Sequence, residues 1–383
     1  MERSNDAEEP GGSRGLEHRW TPARRASIGW QALRADPTDA AAAHHARAVA
    51  LRDDGQPARA RRACQVALRL FERHAGPRHP DVANVALELA LADEDLARYA
   101  SALRLVRRAL AILAPLRGAR ELRLQALGQL GQLHIARGEY GAAEAAYRRA
   151  LAIASRGRVP AAAAAALTGL GVVCKYTARH DEASAFYRKA LAMTVRGRGR
   201  DDPGVATILH NLGGLEHARG RFARGEPFAR RSVAIRERAL GPDHPHVAAD
   251  QAALAAILAG RGKHREAEAL YRRAIAVYRR ALGRDHWEVG FNLGQLAALY
   301  QAEGRLGDAG RVYGRAVRQL SRTTDRRNPL LAMVLWNAAT LRRQQGRRDA
   351  AEALFRTALA IFRRTVGPTH PDAVACAADR KRR

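Results

Sequence analysis

The chain has 383 residues, with 66 Lys and Arg against 38 Asp and Glu, and so carries a formal net charge of +28. Hydrophobic residues make up 47% of the sequence but aromatic residues only 5%, which predicts a core of closely packed helices built on small side chains. Three cysteines in so long a chain exclude a disulfide scaffold, and no apolar stretch reaches the ~18 residues of a membrane span.

The N-terminal segment comes first in chain order. Residues 1–20 are charged and lack the apolar region of a secretory signal, so we predict a disordered tail. Residues 21–38 are predicted to be an N-terminal capping segment, with a short helix over Thr21–Ala35. The stretch GGSRG at 11–15 satisfies G-x-S-x-G formally, but that motif needs a strand before it and a helix after it. Ser13 lies in the polar tail, and we interpret the match as accidental.

From residue 39 onwards the sequence repeats itself with a period of about 42 residues. The clearest copies are RGEYGAAEAAYRRALAI, GKHREAEALYRRAIAV and GRRDAAEALFRTALAI. Eight equivalent turn positions follow at spacings of 40 to 42 residues: Gly55, Ala97, Gly138, Ala178, Gly220, Gly262, Gly304 and Gly346. Self-similarity of this kind predicts a repeat architecture, here of about eight units over residues 39–371.

Three positions of each unit always hold a small residue. The first is Ala48, Ala90, Gly131, Gly171, Gly213, Ala255, Ala297 and Ala339. The second, twelve residues later, is Ala60, Ala102, Ala143, Ala183, Gly225, Ala267, Ala309 and Ala351. The third, seven further on, is Ala67, Ala109, Ala150, Ala190, Ser232, Ala274, Ala316 and Ala358. Because seven residues make two helical turns, the second and third positions share one face of one helix, while the first lies on the helix before the turn. The fold class is therefore predicted to be all-α, each unit being a helix–turn–helix pair with a seam of Ala and Gly.

An aromatic residue follows the second small position by four residues in five units: Tyr147, Tyr187, Tyr271, Tyr313 and Phe355. The units end in a recurring turn, seen as GPRHP (76–80), GPDHP (241–245), GRDHW (283–287) and GPTHP (367–371), with GRDDP (199–203) as a variant. Glycine ends a helix, proline suits the first turn of the next one, and the His or Asp before it can cap that helix. Metal binding by His79, His244, His286 and His370 is the alternative. Their single occurrence per repeat favours the structural role, and we predict no metal site and no cofactor.

These residues resemble the tetratricopeptide repeat (TPR) family, through its three small positions and its aromatic after the second of them. The family's unit has about 34 residues. The longer unit here, with its prolonged second helix and G-x-x-H-P turn, is similar to the repeats of kinesin light chain and related bacterial arrays. The phrases HNLGGL (210–215) and EAEALYRRAI (266–275) are close to that consensus. The resemblance implies a right-handed α-α superhelix over residues 39–371, with a degenerate first repeat as a cap and residues 372–383 as a C-terminal half-helix and basic tail.

The resemblance also implies a binding groove, because the first helix of each pair lines the concave surface in TPR proteins. Carrying the family's groove positions over gives these candidates: Gln125, Gln129, Gln132, Thr168, Lys175, Tyr176, Thr207, His210, Asn211, His217, Gln295, Gln301, Trp336, Asn337 and Arg343. Amides and hydroxyls there could hydrogen-bond an extended peptide, Tyr176 and Trp336 could offer pockets, and Asn211 and Asn337 occupy the place where relatives hold a ligand's main chain. The alternative is a polar face that only keeps the array in solution.

Adjacent basic residues recur on the second helices: Arg61–Arg62, Arg107–Arg108, Arg148–Arg149, Arg188–Lys189, Arg230–Arg231 and Arg272–Arg273. Stacked once per repeat, they predict a positive stripe on the convex side that could attract an acidic protein or nucleic acid. Glu144, Glu226, Glu268 and Glu352 lie four residues before a basic residue and are expected to neutralise part of the stripe. We favour a solvated face, since no aromatic stacking platform or reading module for nucleic acid is present.

Catalysis is not supported by any motif. The sequence contains no G-x-x-x-x-G-K-[ST], no G-x-G-x-x-G and no H-E-x-x-H. We predict a non-catalytic cytoplasmic scaffold that binds a protein or peptide, most naturally an acidic or extended segment, in its concave groove. The alternative is a peptide-sensing regulator that controls an effector, and nucleic-acid binding through the arginine stripe is a weaker third reading.

Overall fold

A computed structural model describes residues 38–323 and 328–382 of the chain. The predicted tail (1–20), all but the last residue of the capping segment (21–38), and Ser13 lie outside the described residues. Within the described ranges every regular element is an α-helix, and no strand is present. The helices are α1 (Asp39–Asp53), α2 (Pro57–His74), α3 (Pro80–Asp95), α4 (Tyr99–Leu113), α5 (Arg120–Ala136), α6 (Tyr140–Arg156), α7 (Pro160–Tyr176), α8 (His180–Arg198), α9 (Pro203–Ala218), α10 (Phe222–Leu240), α11 (Pro245–Gly260), α12 (His264–Ala281), α13 (Trp287–Ala302), α14 (Leu306–Thr323), α15 (Pro329–Gln344), α16 (Arg348–Thr365) and α17 (Pro371–Lys381).

The helices pack in consecutive pairs, from α1 with α2 to α15 with α16, and α17 packs on α16. First helices of neighbouring pairs also contact each other, for example α9 with α11 and α13 with α15. Second helices of neighbouring pairs, such as α10 and α12, make no comparable contact within the described chain. Because the first helices are drawn closer together than the second helices, they lie on the inside of the curve. The all-α solenoid predicted from the sequence is confirmed.

The seam between the helices of a pair consists of the predicted small residues. Every alanine at the three small positions is buried, as is Ser232. Two of the glycines are required by aromatic rings: a Cβ on Gly131 would lie 2.5 Å from Cζ of Tyr147, and one on Gly171 would lie 2.5 Å from Cε1 of Tyr187. The aromatic of the second helix therefore fills the space that the small residue of the first helix leaves open.

The turn between the two helices of a pair has the same backbone conformation in every repeat. All eight turn positions have positive φ, between 55° and 74°, including the non-glycine residues Ala97 (55°) and Ala178 (57°). An L-residue in this region crowds its Cβ against the following carbonyl oxygen, so glycine is the residue that fits without strain. This requirement accounts for the glycine at six of the eight positions.

Successive turns of the superhelix touch each other. The turn at Gly55 in the first repeat approaches His286, which lies five to six repeats further along, and a Cβ on Gly55 would be 3.3 Å from Cδ2 of that ring. The turn at Gly138 approaches His370 in the same way, at 2.7 Å from Cδ2. Between these two contacts, Tyr99 packs against the hydrophobic core of the last three repeats. The solenoid thus coils tightly enough for its beginning to rest on its end.

Candidate functional site

All fifteen predicted groove residues lie on first helices, on the inside of the curve. Ten of them are partly exposed: Gln125, Gln132, Thr168, Tyr176, Thr207, His217, Gln295, Gln301, Asn337 and Arg343. The other five are buried: Gln129, Lys175, His210, Asn211 and Trp336. The structure therefore differs from the expectation of an open polar face at these five positions, where the side chains are enclosed by neighbouring repeats.

An aromatic and basic group of side chains, here called the central cluster, occupies the middle of the inner side. It consists of Tyr140, Lys175, Tyr176, His217 and Phe222. The rings of Tyr140 and Tyr176 stack with centroids 5.7 Å apart, and Nζ of Lys175 lies 4.8 Å from the Tyr176 centroid. The His217 ring meets the edge of Phe222 at 5.2 Å. The cluster joins the third repeat to the fifth through side chains from α6, α7, α9 and α10.

His217 is held neutral by its surroundings. Burial lowers the pKa of its imidazole to about 4, and the nearby Lys175 ammonium acts in the same direction. At neutral pH the ring therefore carries one N–H donor and one acceptor nitrogen. The central cluster accordingly combines the amine of Lys175 with apolar rings and a neutral imidazole.

A buried polar network lies behind the inner surface, centred on the carboxylate of Asp250. It accepts hydrogen bonds from Nδ1 of His210 (2.8 Å), Oγ of Ser232 (2.9 Å) and Nε of Arg236 (2.7 Å). Arg236 also donates to the hydroxyl of Thr207 at 3.1 Å. Burial alone would raise the pKa of Asp250, but the His210 hydrogen bond and the Arg236 charge outweigh it and hold the pKa below its usual value.

The network contains Ser, His and Asp, but its geometry does not activate a nucleophile. Asp250 lies between the other two side chains, so the hydroxyl of Ser232 contacts the carboxylate and the carbonyl oxygen of Ala206 rather than the imidazole. A catalytic serine needs a base within hydrogen-bond reach of its own oxygen and an open approach for substrate. Ser232 is fully buried. The arrangement instead fixes α9, α10 and α11 relative to each other.

One position of the first helix, two residues before the first small residue, carries an amide in four repeats: Gln129, Asn211, Gln295 and Asn337. Gln129 uses its Nε2 to donate to the carbonyl oxygen of Leu87 in the preceding first helix, at 3.1 Å. Asn211 is only 1% exposed, and neither its Nδ2 nor its Oδ1 has a hydrogen-bond partner among the described protein atoms. Buried amides are almost always hydrogen-bonded, so Asn211 has bonding capacity that the chain itself leaves unused.

The C-terminal end of the inner side is covered by α17. Nε1 of Trp336 donates to a carboxylate oxygen of Asp379 at 2.9 Å, and Nη1 of Arg343 donates to the Asp379 carbonyl. The Trp336 ring also packs edge-on against Phe362, with centroids 6.5 Å apart. The expected pocket at Trp336 is therefore filled by the half-helix α17, which takes the place of a ninth first helix.

Two of the remaining candidates, Gln301 and Thr168, form hydrogen bonds within the array. Gln301 donates to Gln344 at 2.8 Å and accepts from the hydroxyl of Tyr313 at 3.2 Å, which links three consecutive helices. Thr168 donates to the carbonyl oxygen of Ala164 in its own helix at 2.9 Å. The structure brings Lys175, Tyr176 and His217 together, while Gln301 lies apart from them on α13.

The sequence pattern did not identify the polar roles of Asp250, Ser232 and Arg236, which organise the middle of the array. Two signals could have found them. Ser232 is the one hydroxyl among the residues at the third small position, and Asp250 is the only charged residue in the mainly apolar stretch from 247 to 260. Both residues depart from the repeat pattern, and they are expected to occur together because a buried carboxylate requires hydrogen-bond donors.

Six of the twelve basic residues in the adjacent pairs on the second helices form an ion pair with a carboxylate among the described residues. The four expected (i, i+4) pairs are present, with Glu144–Arg148 at 2.6 Å, Glu226–Arg230 at 2.8 Å, Glu268–Arg272 at 2.8 Å and Glu352–Arg356 at 3.7 Å. The glutamates also reach the next repeat: Arg179 lies 2.6 Å from Glu144, and Lys263 lies 3.0 Å from Glu226. Burial would raise the pKa of Glu226, but hydrogen bonds from Arg230, Lys263 and Arg261 lower it to about 2.

In residues 38–323 and 328–382, no three His, Cys, Asp or Glu side chains are grouped so that they could hold a metal ion. Over the same ranges, none of the helices combines the length and the apolar character needed to span a bilayer.

The sequence matches the model of a known protein family. The family model described as tetratricopeptide repeat matches residues 39–114, 122–194, 204–280, 288–364 and 330–379. No curated protein matches the sequence.

Solved structures with the same fold come from several sources. BtubC (BKLC) from P. vanneervenii is 22% identical, with a TM-score of 0.48 over 60% of this chain and 92% of that one. A Podosopora anserina chain of TPR-like repeats, assigned to kinesin light chain, is 22% identical, with a TM-score of 0.43 over 52% and 94%. The Rap conjugation gene regulator of the plasmid pLS20, in complex with the Phr* peptide, is 14% identical, with a TM-score of 0.58 over 86% and 95%. At these identities the likeness concerns the fold alone.

Proposed function

Because this chain belongs to the tetratricopeptide repeat family, we propose that it is a non-catalytic scaffold that binds a protein or peptide segment along the inside of its superhelix. The observation that carries the proposal is the run of partly exposed amides and hydroxyls on the first helices, beside the buried amide of Asn211, whose polar atoms have no hydrogen-bond partner among the described residues. An extended segment has free backbone N–H and C=O groups, which are the partners that an amide side chain satisfies in both directions.

The proposed groove comprises all fifteen residues named from the sequence. The ten partly exposed ones would contact a ligand directly. Gln129, Lys175, His210, Asn211 and Trp336 would become available only where neighbouring first helices move apart. The central cluster would accept an apolar side chain against Tyr176 and Phe222, and a ligand carboxylate near Lys175.

An acidic partner is proposed from charge. The chain carries a net charge of +28, and attraction of an acidic segment would raise both its association rate and its affinity at low salt. We propose the cytoplasm as the place of action. Affinity for such a partner is expected to fall steeply as ionic strength rises, because exposed charges are screened beyond about 10 Å at 0.1 M salt.

A regulator that senses a peptide is the second candidate. It is favoured by the likeness to the pLS20 Rap regulator, whose structure holds a peptide, over 86% of this chain. In that case the ligand would be a short free peptide, and its binding would change the pitch of the superhelix. Binding of nucleic acid through the second helices is less favoured, because acids neutralise much of the arginine stripe.

The experiment compares partner capture by three forms of the full chain. The Asn211→Ala/Asn337→Ala double variant removes two amides of the shared first-helix position. Arg149→Ala is the matched control, since Arg149 is exposed on a second helix and makes no ion pair with any described residue. A partner identified by pull-down from the native host is titrated against each form. We expect about tenfold weaker binding by the double variant, and unchanged binding by the control.

Unchanged affinity of the double variant for the identified partner would remove the groove assignment. The nature of the partner separates the candidates. A protein client supports the scaffold, and a short peptide supports the sensor. Nucleic acid that is lost with Arg149→Ala, and not with the double variant, supports the second-helix surface instead.

A further inference from the structure

Equivalent positions on neighbouring second helices form a ladder with one rung at each repeat boundary, and two of its seven rungs hold an ion pair. Arg108 on α4 lies 2.6 Å from Glu72 on α2, and Arg273 on α12 lies 3.6 Å from Glu237 on α10. The two pairs are equivalent in the repeat: the basic residue comes six positions after the second small residue, and the acid comes twelve positions after the second small residue of the preceding unit. The fold therefore brings these two positions within ion-pair distance across the repeat boundary.

The next rung of the ladder has arginine on both sides. Its two positions are occupied by Arg315 on α14 and Arg279 on α12. Arg284, in the loop that follows α12, carries a third guanidinium beside them. Within the described chain no carboxylate pairs with any of these three arginines, whereas Asp285, the nearest acid in sequence, pairs with Arg322 at 3.4 Å.

The three positive charges act on one another. Arg279 is half-buried, and its burial together with the charges of Arg315 and Arg284 lowers the pKa of its guanidinium. Arg315 and Arg284 are exposed, so the group opens to solvent. Like charges held together in this way are destabilising unless an anion lies between them. Arg284 lines a cavity of about 380 Å³ together with Asp95 and Asp285, so two carboxylates lie on its side of the group. The positive charge is therefore most concentrated at Arg279 and Arg315.

We propose that Arg279, Arg315 and Arg284 form an anion site for a phosphate group, on the side of the array opposite the proposed groove. Guanidinium groups bind phosphate oxygens through paired N–H donors, and a phosphate dianion would supply the negative charge that Glu72 and Glu237 supply at the two ion-paired rungs. The phosphate is either free or carried by a side chain of a partner protein. The site is independent of the groove, because it uses only residues of α12, α14 and the loop between α12 and α13.

The test uses the full chain, isothermal titration and two probes at constant ionic strength: inorganic phosphate, and a short capped peptide that contains phosphoserine. We expect saturable binding of both by the unaltered chain. Arg279→Glu places a glutamate at the position opposite Arg315, which is the arrangement of Glu237 and Arg273. It is expected to weaken phosphate binding by about tenfold or more, and to raise the melting temperature in phosphate-free buffer. The raised melting temperature separates loss of the site from loss of the fold.

Arg149→Glu is the matched control, because Arg149 has the same repeat position as Arg315, while the position equivalent to Arg279 is Ala114, the C-cap of α4. It makes the same change in net charge and is expected to leave phosphate binding within about twofold, since distant charges are screened. Tighter binding of the phosphopeptide than of inorganic phosphate assigns the site to a partner's side chain, and equal binding assigns it to a free anion. Equal responses of the unaltered chain and Arg279→Glu, or equal losses in Arg279→Glu and Arg149→Glu, would overturn the site.

Discussion

Six of the helices that follow an inter-repeat turn are each capped at the N-terminus by one side chain. His79, Asp202, His244, His286, Asn328 and His370 each accept a hydrogen bond from the backbone N–H two residues later. This position leaves N–H groups without partners in any helix, and a cap there contributes about 1 kcal/mol. Four of the six caps are imidazoles that accept through Nδ1, so protonation of the ring abolishes the cap. The predicted capping role of these histidines is confirmed.

The pH dependence of one cap can be predicted at the residue scale. Burial, with a contribution from Arg236, lowers the pKa of His244 below its usual value near 6.5. As pH falls below about 6.5, the unfolded chain takes up this proton before the folded chain does, so folding stability is lost. His244→Asn keeps a capping side chain that does not titrate. We expect similar melting temperatures for both proteins at pH 7.5, and a smaller decrease for the variant at pH 5.

His244→Ala separates the two effects, because it removes the cap at every pH. It is expected to cost about 1 kcal/mol at pH 7.5 and to share the flatter pH profile of His244→Asn. Parallel pH profiles for all three proteins would mean that His244 does not couple folding to protonation.

At the scale of the helix pair, stability depends on how closely two helices approach along the small-residue seam. Ala267 and Ala309 are both completely buried at the second small position. Tyr271 and Tyr313, four residues later, are buried on the same helix face. The interior is packed at the density of an organic crystal, so there is no free volume that a larger side chain could use.

Ala267→Leu and Ala309→Leu are each expected to lower the free energy of unfolding by about 1–3 kcal/mol, because the added carbons force the two helices apart. Ala269→Leu is the matched control, since Ala269 is exposed on the same helix as Ala267. Thermal and denaturant unfolding measure the differences. An unchanged melting curve for both buried variants would contradict the seam.

At the scale of the whole molecule, contacts between successive superhelical turns add to contacts between neighbouring repeats. In an array stabilised only by nearest neighbours, the ends open independently and unfolding is less than fully two-state. Here the turn at Gly138 rests on His370, and Tyr99 rests on the core of the last repeats. These contacts couple early repeats to late ones, so we expect the two ends of the array to lose structure together.

Two glycine variants isolate that coupling. Gly138 and Gly262 have nearly the same backbone conformation, with φ of 72° and 74°, but no atom lies within 4 Å of a Cβ on Gly262. Gly262→Ala is expected to cost about 1–2 kcal/mol from backbone strain alone. Gly138→Ala carries the same strain and also displaces His370, for which we expect a further ~1–3 kcal/mol. Equal losses in chemical denaturation would show that the contact between superhelical turns does not stabilise the fold.

The sequence by itself determined the repeat. The period, the small-residue seam, the glycine turns and the helix caps could all be predicted, because each depends on contacts within a unit or with the next one. Such contacts repeat about every 42 residues and leave a periodic record in residue type. The fifteen groove candidates on the first helices were implied by the resemblance to the tetratricopeptide repeat family, whose first helices line the concave surface.

Only the tertiary structure decided which of those candidates are accessible and what lies beyond the nearest neighbour. Lys175, Asn211 and Trp336 have the residue types of an open polar face, yet they are enclosed by adjacent helices. The approach of His286 to Gly55, and the arginines facing each other at 279 and 315, were equally hidden. These features depend on the small rotation from one repeat to the next, summed over several repeats. No single residue encodes that sum, so it can be known only from the folded superhelix.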